Sequence, residues 1–442
     1  MISTADQNLA GKDAIDEILL GNFQLPETDK PFPCPIQSLV IEPSLDGHEG
    51  DLLENIELPR SAAIVFDANT YDALGKRLAK ALPKAKPIPI EFPKADDATV
   101  QQLLDRARHA EALIAVGSGT LNDVVKFASH KSGRPYAVFA TAPSMNGYVT
   151  ATASITRHRE KTSLPARPPR GAFFDLSILS KAPSRLVKAG VGDSLCRSTA
   201  EIDWMLSHQL LDTAFLTAPF AIQAKDEADL LKHVDGLQSG DLDAMNVLVR
   251  LLVLGGLGML IAGSSQPGSQ GEHLISHYID MLQHPHPGSL HGEQVGLATR
   301  AMAALQHDVM SRSIPPVLCE TRIDAAAMAK RVGTLSTSLE ASMTKKAIWG
   351  ERLEAMNRRL AERWPALQGI YKSTAVPLER LLNAFDLAGV AAAPEDLGIS
   401  SSFFAEAILH ARELRDRFTM LDLAADSGLL VPFAEAFPSK RQ

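Results

Sequence analysis

Residues 112–131 read ALIAVGSGTLNDVVKFASHK. Five apolar residues in a row run into Gly117-Ser118-Gly119, and an amphipathic stretch follows at once. A short unbroken apolar run of this kind is a strand buried on both faces. The glycines let backbone come close to a neighbour or to a phosphate, and the first helical turn behind them offers unpaired N–H groups. The stretch is thus a strand–turn–helix unit with its turn open to an anion. Its pattern is GxGxxN, lacking the third glycine of the usual dinucleotide fingerprint. An ordinary turn with Thr120 or Asn122 as helix cap fits the same residues.

Working outward, the same alternation repeats. SLVIE (38–42), AAIVFD (62–67) and YAVFA (136–140) read as strands. PIPIEF (87–92) reads as a further strand, and its prolines, which cannot donate to a ladder, put it at an edge. Leu74, Leu78 and Leu82 mark one helix face, and Val100, Leu103, Leu104 and Ala107 another. Strands alternating with helices predict a mostly parallel sheet covered on both faces. From about Ser184 the strand signal stops, and Ala- and Leu-rich helical segments run to the C-terminus. The expected architecture is a lead-in over 1–34 that is loosely attached, an α/β Rossmann-like domain over 35–183, and an all-helical domain over 184–442.

Composition agrees with a globular chain of two large domains: 442 residues, 45% hydrophobic and 22% charged. A net charge of −8 disfavours attraction to nucleic acid or to an anionic membrane. Cys34, Cys196 and Cys319 show no CxxC spacing and are too few for a disulfide framework, which fits a reducing cytoplasm. Cys196 and Cys319 have no recognisable context. The most apolar stretch, Val247 to Ala262, is broken by Arg250 and three glycines and reads as a buried helix, not a membrane span. There is no fixed-period repeat and no low-complexity tract.

Gly271 to Gln294, GEHLISHYIDMLQHPHPGSLHGEQ, holds five of the thirteen histidines. His273 and His277 stand four apart and share one helix face. His291 opens the next helical run. Histidine at this spacing is a metal-ligand pattern, or equally a core or capping pair, while His284 and His286 read as loop residues. Asp193, just after two glycines in GVGDS, could supply a carboxylate, and Asp/His₂ ligation leaves coordination positions open for chemistry. Asp67, ending its strand, either accepts ribose hydroxyls or caps the helix behind it, as Asn69 could. Arg157, His158, Arg159, Lys161, Arg167 and Arg170 form either an anion-binding loop or a solvated surface.

In order and together, VGSGTLNDVVKFAS, the TAPSMNGY loop (141–148), KTSLPARPPRGAFFDLSIL (161–179), APSRLVKAGVGDSL (182–195), and SSQPGSQGEHLISHYIDM with HGEQVG resemble the sn-glycerol-1-phosphate dehydrogenase family. That family belongs to the iron-containing alcohol dehydrogenase, glycerol dehydrogenase and dehydroquinate synthase superfamily. FDANTYDALGKRL (66–78) is similar to its bacterial branch. The resemblance spans about Pro35 to Thr299.

The resemblance implies a dehydroquinate synthase-like fold with an NAD-binding and a metal-binding domain. It implies Asp193, His273 and His291 as ligands of a divalent metal, zinc first, with nickel and iron as alternatives. It places His277 and Asn146 against the substrate beside Asp193, and keeps Lys161 as a cation for a phosphate. NAD, with NADP as the alternative, would lie on Gly117, Gly119, Thr120, Leu121, Asn122 and Asp123. Thr141, Ala142, Pro143, Ser144 and Thr150 would add further contacts, and Asp67 would read the adenine ribose.

Two departures bear on substrate: Asn146 stands where the family usually has Asp, and Gln266 where it commonly has Arg. The implied activity is NAD(P)-linked interconversion of dihydroxyacetone phosphate and sn-glycerol 1-phosphate by a cytoplasmic homo-oligomer. The departures keep an unphosphorylated short polyol open as substrate. A dehydroquinate-synthase-like lyase is disfavoured by the two-histidine segment, the FDANTY stretch and the shortage of basic anchors for a carboxylated ring.

Overall fold

The computed structural model describes residues 12–25, 30–157 and 160–437, with the backbone alone at 160 and 161. The chain forms two compact units. One comprises Met1–Ser194 with Leu216–Ser264, the other Leu195–Phe215 with Ser265–Gln442. The expected boundary at 183/184 is therefore corrected: most of helix Ser184–Leu195 and the helices up to Ala262 belong with the sheet.

The first unit is built on a six-stranded, all-parallel sheet. Its spatial order is Ser38–Glu42, Gly171–Asp175, Tyr136–Ala140, Ala112–Gly117, Ala62–Phe66, Lys86–Pro89. The proline-containing strand lies at the edge, as expected, since a central position would leave ladder acceptors without donors. GAFFD (171–175) was not anticipated as a strand. Its Phe173 packs on Phe139 of the neighbouring strand, the rings tilted by 40° with centroids 4.8 Å apart. Strands Thr152–Arg157 and Glu160–Pro165, the second within the run read as a basic loop, instead pair antiparallel.

The lead-in, where described, is packed. Helix Ala14–Leu19 buries Ala14, Ile15 and Ile18, Phe23 is buried beyond it, and Asp13 pairs with Arg250 at 2.8 Å.

Helix Leu242–Ala262 is long and apolar enough for a membrane span, yet two-thirds of its apolar window is buried inside the protein. Its glycines have a packing cause. A Cβ on Gly256 would lie 2.6 Å from Asn146 O and 2.5 Å from Val149. A Cβ on Gly190, in helix Ser184–Leu195, would lie 1.7 Å from Pro143 O. The loop 143–149 is thus gripped by two helices through bare backbone, and that close approach ties both helices to the sheet unit.

The second unit is helical throughout its described residues. Ile202, Leu206, Ile275, Tyr278, Leu297, Leu360, Trp364 and Phe404 are among the side chains of one buried core. Helices Gly271–Leu282 and His291–Met310 pack on each other inside it. Helices Ser336–Lys346, Met420–Asp426 and Leu430–Ala436 were not anticipated. Two buried ion pairs hold that end: Lys346–Asp422 at 2.8 Å and Arg412–Asp426 at 2.9 Å.

Candidate active site

In the sheet unit, Ala62–Phe66 lies between Lys86–Pro89 and Ala112–Gly117. The chain moves outward from the first of these strands and then returns on its other side, so the strand order reverses there. In open α/β sheets, ligands bind outside the carboxyl ends of strands at such a switch point. Asp67 and the Gly117–Gly119 turn follow the two strands that flank it.

The turn is shaped for close approach. A Cβ on Gly117 would lie 2.6 Å from Leu121, whose side chain is buried beneath it, and one on Gly119 would lie 3.1 Å from Met145 Sδ. Helix Gly119–Ser132 has no side-chain cap, so Thr120 and Asn122 do not serve as one. Thr120 is exposed. The Asn122 amide is fully buried with neither atom hydrogen-bonded. An uncapped helix start behind two tight glycines is a site for an anion. Asp67, by contrast, does cap: Oδ1 accepts Thr70 N–H at 2.8 Å within a capping box. The local alternative for Asp67 is real, and it uses one of the two carboxylate oxygens.

Thr141 to Ser144 follow the next strand. Thr141 N–H donates to Gly117 O at 3.2 Å, which binds this loop to the glycine turn. Lys126 pins the loop further on. Its buried ammonium donates to Gly147 O at 2.5 Å, Thr150 Oγ1 at 3.1 Å and Thr152 O at 3.0 Å, and burial pulls its pKa down. Thr150 is buried, and its hydroxyl is engaged in holding the loop. Asp123 accepts Ser154 N–H at 3.1 Å. Asn146 N–H donates to Asp193 Oδ2 at 2.7 Å, so two of the expected substrate-side residues meet; Asp193 is 2% exposed. The Lys126 clamp was not anticipated. Its one sequence signal is a lysine set between Val124-Val125 and Phe127-Ala128.

In the helical unit, the expected histidines converge. Ring centroids are 5.0 Å apart for His273–His291, 5.9 Å for His277–His291 and 6.3 Å for His273–His277. His273 Nδ1 lies 3.0 Å from Glu272 Oε1, and His291 Nδ1 lies 3.1 Å from Ser276 Oγ. Two imidazoles at this separation, each held through Nδ1, suit a shared cation about 2.0–2.1 Å from each remaining nitrogen. Cys196, given no context by the sequence, has its sulfur grouped within 4.8 Å of ligand atoms of Glu272 and His273. His286, expected to be a plain loop residue, bonds Asp280 Oδ1 at 3.1 Å. Arg417 reaches the Ser265–Ser269 turn from far along the chain, donating to Ser265 Oγ at 2.7 Å and to Ser269 O. Burial pulls its pKa down to about 10.

Among the described residues, the arginines of the basic run are engaged separately. Arg157 pairs with Asp97 at 2.8 Å, Arg167 donates to Gly133 O at 3.2 Å and Arg170 to Glu57 O at 3.0 Å. His158 and Arg159 lie outside the described residues, as does the Lys161 side chain.

A switch-point glycine turn on a parallel sheet and a histidine cluster on two packed helices define a metal-dependent dehydrogenase of the alcohol dehydrogenase kind. Residues 40–183 match the family described as iron-containing alcohol dehydrogenase. A glycerol-1-phosphate dehydrogenase [NAD(P)+] of Halalkalibacterium halodurans is 34% identical over 264 residues, 57% of this chain and 66% of that one. Another from Pyrococcus furiosus is 32% identical over 319 residues, 70% of this chain and 90% of that one. The chain belongs to the glycerol-1-phosphate dehydrogenase family. The solved glycerol dehydrogenase of Schizosaccharomyces pombe shares the fold, with a TM-score of 0.60 at 15% identity over 91% of each chain.

Proposed function

We propose that this protein interconverts dihydroxyacetone phosphate and sn-glycerol 1-phosphate, using NAD(H) or NADP(H) and a divalent metal. The observation that carries the reading is the convergence of His273, His277 and His291 in a chain whose relatives bear that activity. His273 and His291 are assigned to the metal, with Asp193, three residues before Cys196 along the chain, as the carboxylate. When bound, the cation supplies Lewis acidity toward a hydroxyl or carbonyl oxygen and the nicotinamide exchanges hydride with the carbon.

The protein's own residues bind, orient and move a proton. The first turn of helix Gly119–Ser132 takes the diphosphate on its N–H groups, and the loop from Thr141 to Ser144 flanks it. Asp67 accepts ribose hydroxyls with the oxygen not used in its cap. Asn146 sits against Asp193 and offers its amide to a substrate hydroxyl. Oxidation of the alcohol releases one proton from its hydroxyl, and His277 is the group assigned to take it; reduction returns it. Lys161 is the cation assigned to the substrate phosphate.

Asn146 and Gln266, where the resemblance expects Asp and Arg, favour a second reading: a dehydrogenase of unphosphorylated short polyols. One panel separates them. NADH and NADPH oxidation is followed with dihydroxyacetone phosphate and with dihydroxyacetone, before and after chelation. The first reading expects kcat/KM at least about 100-fold higher for the phosphate ester, as a desolvated charge-assisted contact provides, and loss of activity on chelation. Equal values for the two ketones would move the assignment to the second reading.

A further inference from the structure

The turn Ser265–Ser269 leads into the helix that carries His273 and His277, and it holds no charged residue of its own. A cation reaches it from the tail. Arg417 donates through Nη1 to Ser269 O and through Nη2 to Ser265 Oγ, the latter at 2.7 Å. Gln266, inside the turn, is folded back on its own segment. Its backbone oxygen and its Oε1 accept from Gln270 Nε2 at 2.9 and 2.7 Å. Arg417 is held where it stands. Lys346 Nζ, buried and paired with Asp422 at 2.8 Å, donates to Arg417 O at 2.9 Å and to Arg412 O at 2.6 Å. Phe418, the next residue, is buried.

The cation is under-compensated. Lys346 and Arg412 at this end of the unit each have a buried carboxylate partner. Among the described residues Arg417 has none, and Glu272 and Asp416 act on it only from beyond ion-pair reach, while burial and then the charge of Arg415 hold its pKa down to about 10. It is still charged at neutral pH. Its donors are not used up either. A guanidinium has five N–H groups, and the turn offers Arg417 two acceptors. Ser265 Oγ accepts from Arg417 and keeps its own proton to give; among the described residues neither it nor the Ser269 hydroxyl donates to a partner. Ser265, Ser269 and Arg417 are all partly exposed. Glu272, whose charge Arg417 feels, lies 3.0 Å from His273 Nδ1, so the guanidinium stands at the histidine end of helix Gly271–Leu282.

We propose that the Arg417 guanidinium, with the Ser265 and Ser269 hydroxyls, is an anion site that takes the substrate's phosphate and selects the phosphate ester over the bare ketone. The inference rests on the phosphate-ester reading above. A planar guanidinium meets two phosphate oxygens at once, which an ammonium cannot. Because the tail already holds the fork in place, little side-chain freedom is left to lose when the anion binds. Lys161 belongs to the other unit, and Arg417 gives the helical unit a cation of its own.

The test reads one ratio on the full-length, metal-loaded enzyme: kcat/KM for dihydroxyacetone phosphate over kcat/KM for dihydroxyacetone. Arg417→Gln should lower that ratio about 10–100-fold, the worth of a hydrogen bond to a charged group, and should do so through KM for the ester. Arg417→Lys keeps the charge, loses the fork and should fall between Arg417→Gln and wild type. Inorganic phosphate, as a competitor of the ester, should bind Arg417→Gln about tenfold more weakly or worse. A residue that merely braced the turn would slow both ketones together, so an unchanged ratio in Arg417→Gln overturns the inference. If that variant does not fold, Ser265→Ala removes a donor from the same site and should lower the ratio about 3–10-fold; an unchanged ratio there is equally fatal. A ratio near one in wild type would sink the phosphate-ester reading itself, whereas a high wild-type ratio that survives Arg417→Gln sinks only the role of Arg417.

Discussion

Gly190→Ala tests the grip on which the loop between Pro143 and Val149 depends. The added Cβ would stand 1.7 Å from Pro143 O, where ordinary contacts begin at 3.4 Å. Both partners are backbone, so no side chain can swing aside. Helix and loop must separate by about 1.7 Å locally, an overpacking cost of roughly 1–3 kcal/mol or more. Alanine recovers about 1 kcal/mol of helix propensity, so the net loss should be about 1–2 kcal/mol. For a body of this size that lowers Tm by roughly 3–8 °C. Activity should suffer more than stability. Gly190 lies three residues before Asp193 and Pro143 three before Asn146, and these two meet at 2.7 Å. A misplacement of about 1 Å at such a pair costs roughly 100-fold in kcat/KM. The assay is thermal unfolding by circular dichroism beside steady-state kinetics, with Gly369→Ala as control. Gly369 lies in helix Gly350–Thr374 with nothing within 4 Å of a new Cβ. It should gain up to about 1 kcal/mol and keep full activity. If Gly190→Ala matched that control in stability and turnover, the backbone-to-backbone contact would be wrong.

Three further outcomes are expected. His273→Ala and His291→Ala should each release bound metal by elemental analysis, whereas His277→Ala should retain it and lower kcat by about 100-fold or more, the scale of a lost acid–base group; an empty site in His277→Ala would reverse the roles within HLISH. Lys126→Met should cost about 2–4 kcal/mol in urea unfolding, since three buried acceptors lose a charged donor while the desolvated ammonium disappears; it should also raise KM for NADH, and an unchanged KM would show that the loop needs no pin. Asp203 is pushed up to about 8 by burial and then by the charge of Glu272, against about 3.9 in an unfolded chain. The folded state therefore holds an extra proton between those values, and the stability Asp203 contributes is full below about pH 4 and lost as pH rises through about 8. The urea midpoint of the protein should fall from pH 6 to pH 9; a flat or rising midpoint would contradict it.

The strands at 38–42, 62–66, 112–117 and 136–140 were legible because each is an unbroken apolar run, which only a position covered on both faces explains. GAFFD was hidden by the prolines and arginines before it, and the paired strands Thr152–Arg157 and Glu160–Pro165 by their polar alternation, since a two-stranded ribbon buries one face only. The unit boundary was misread for another reason. Helical periodicity says that a segment is a helix, not which neighbour it packs on. That choice rests on Gly190 and Gly256 meeting the loop at 143–149, a contact between residues more than forty positions apart.

The histidine cluster shows the same limit at the scale of a single site. Spacing alone placed His273 and His277 on one face and made them equal candidates for ligation. The proposed division between them comes from the family resemblance, and what the fold adds is the groups beside the rings of His273 and His291, Glu272 and Ser276. Glu272 is a sequence neighbour of His273 yet reads as an ordinary first-turn acid, favoured near any helix start. Ser276 and Gln294, eighteen residues apart, acquire meaning only when helices Gly271–Leu282 and His291–Met310 pack together. Gln294 in turn is oriented by Asp280. A metal motif can therefore be recognised from two histidines, but the polar residues that hold its rings look unremarkable until the fold brings them into one chain of hydrogen bonds.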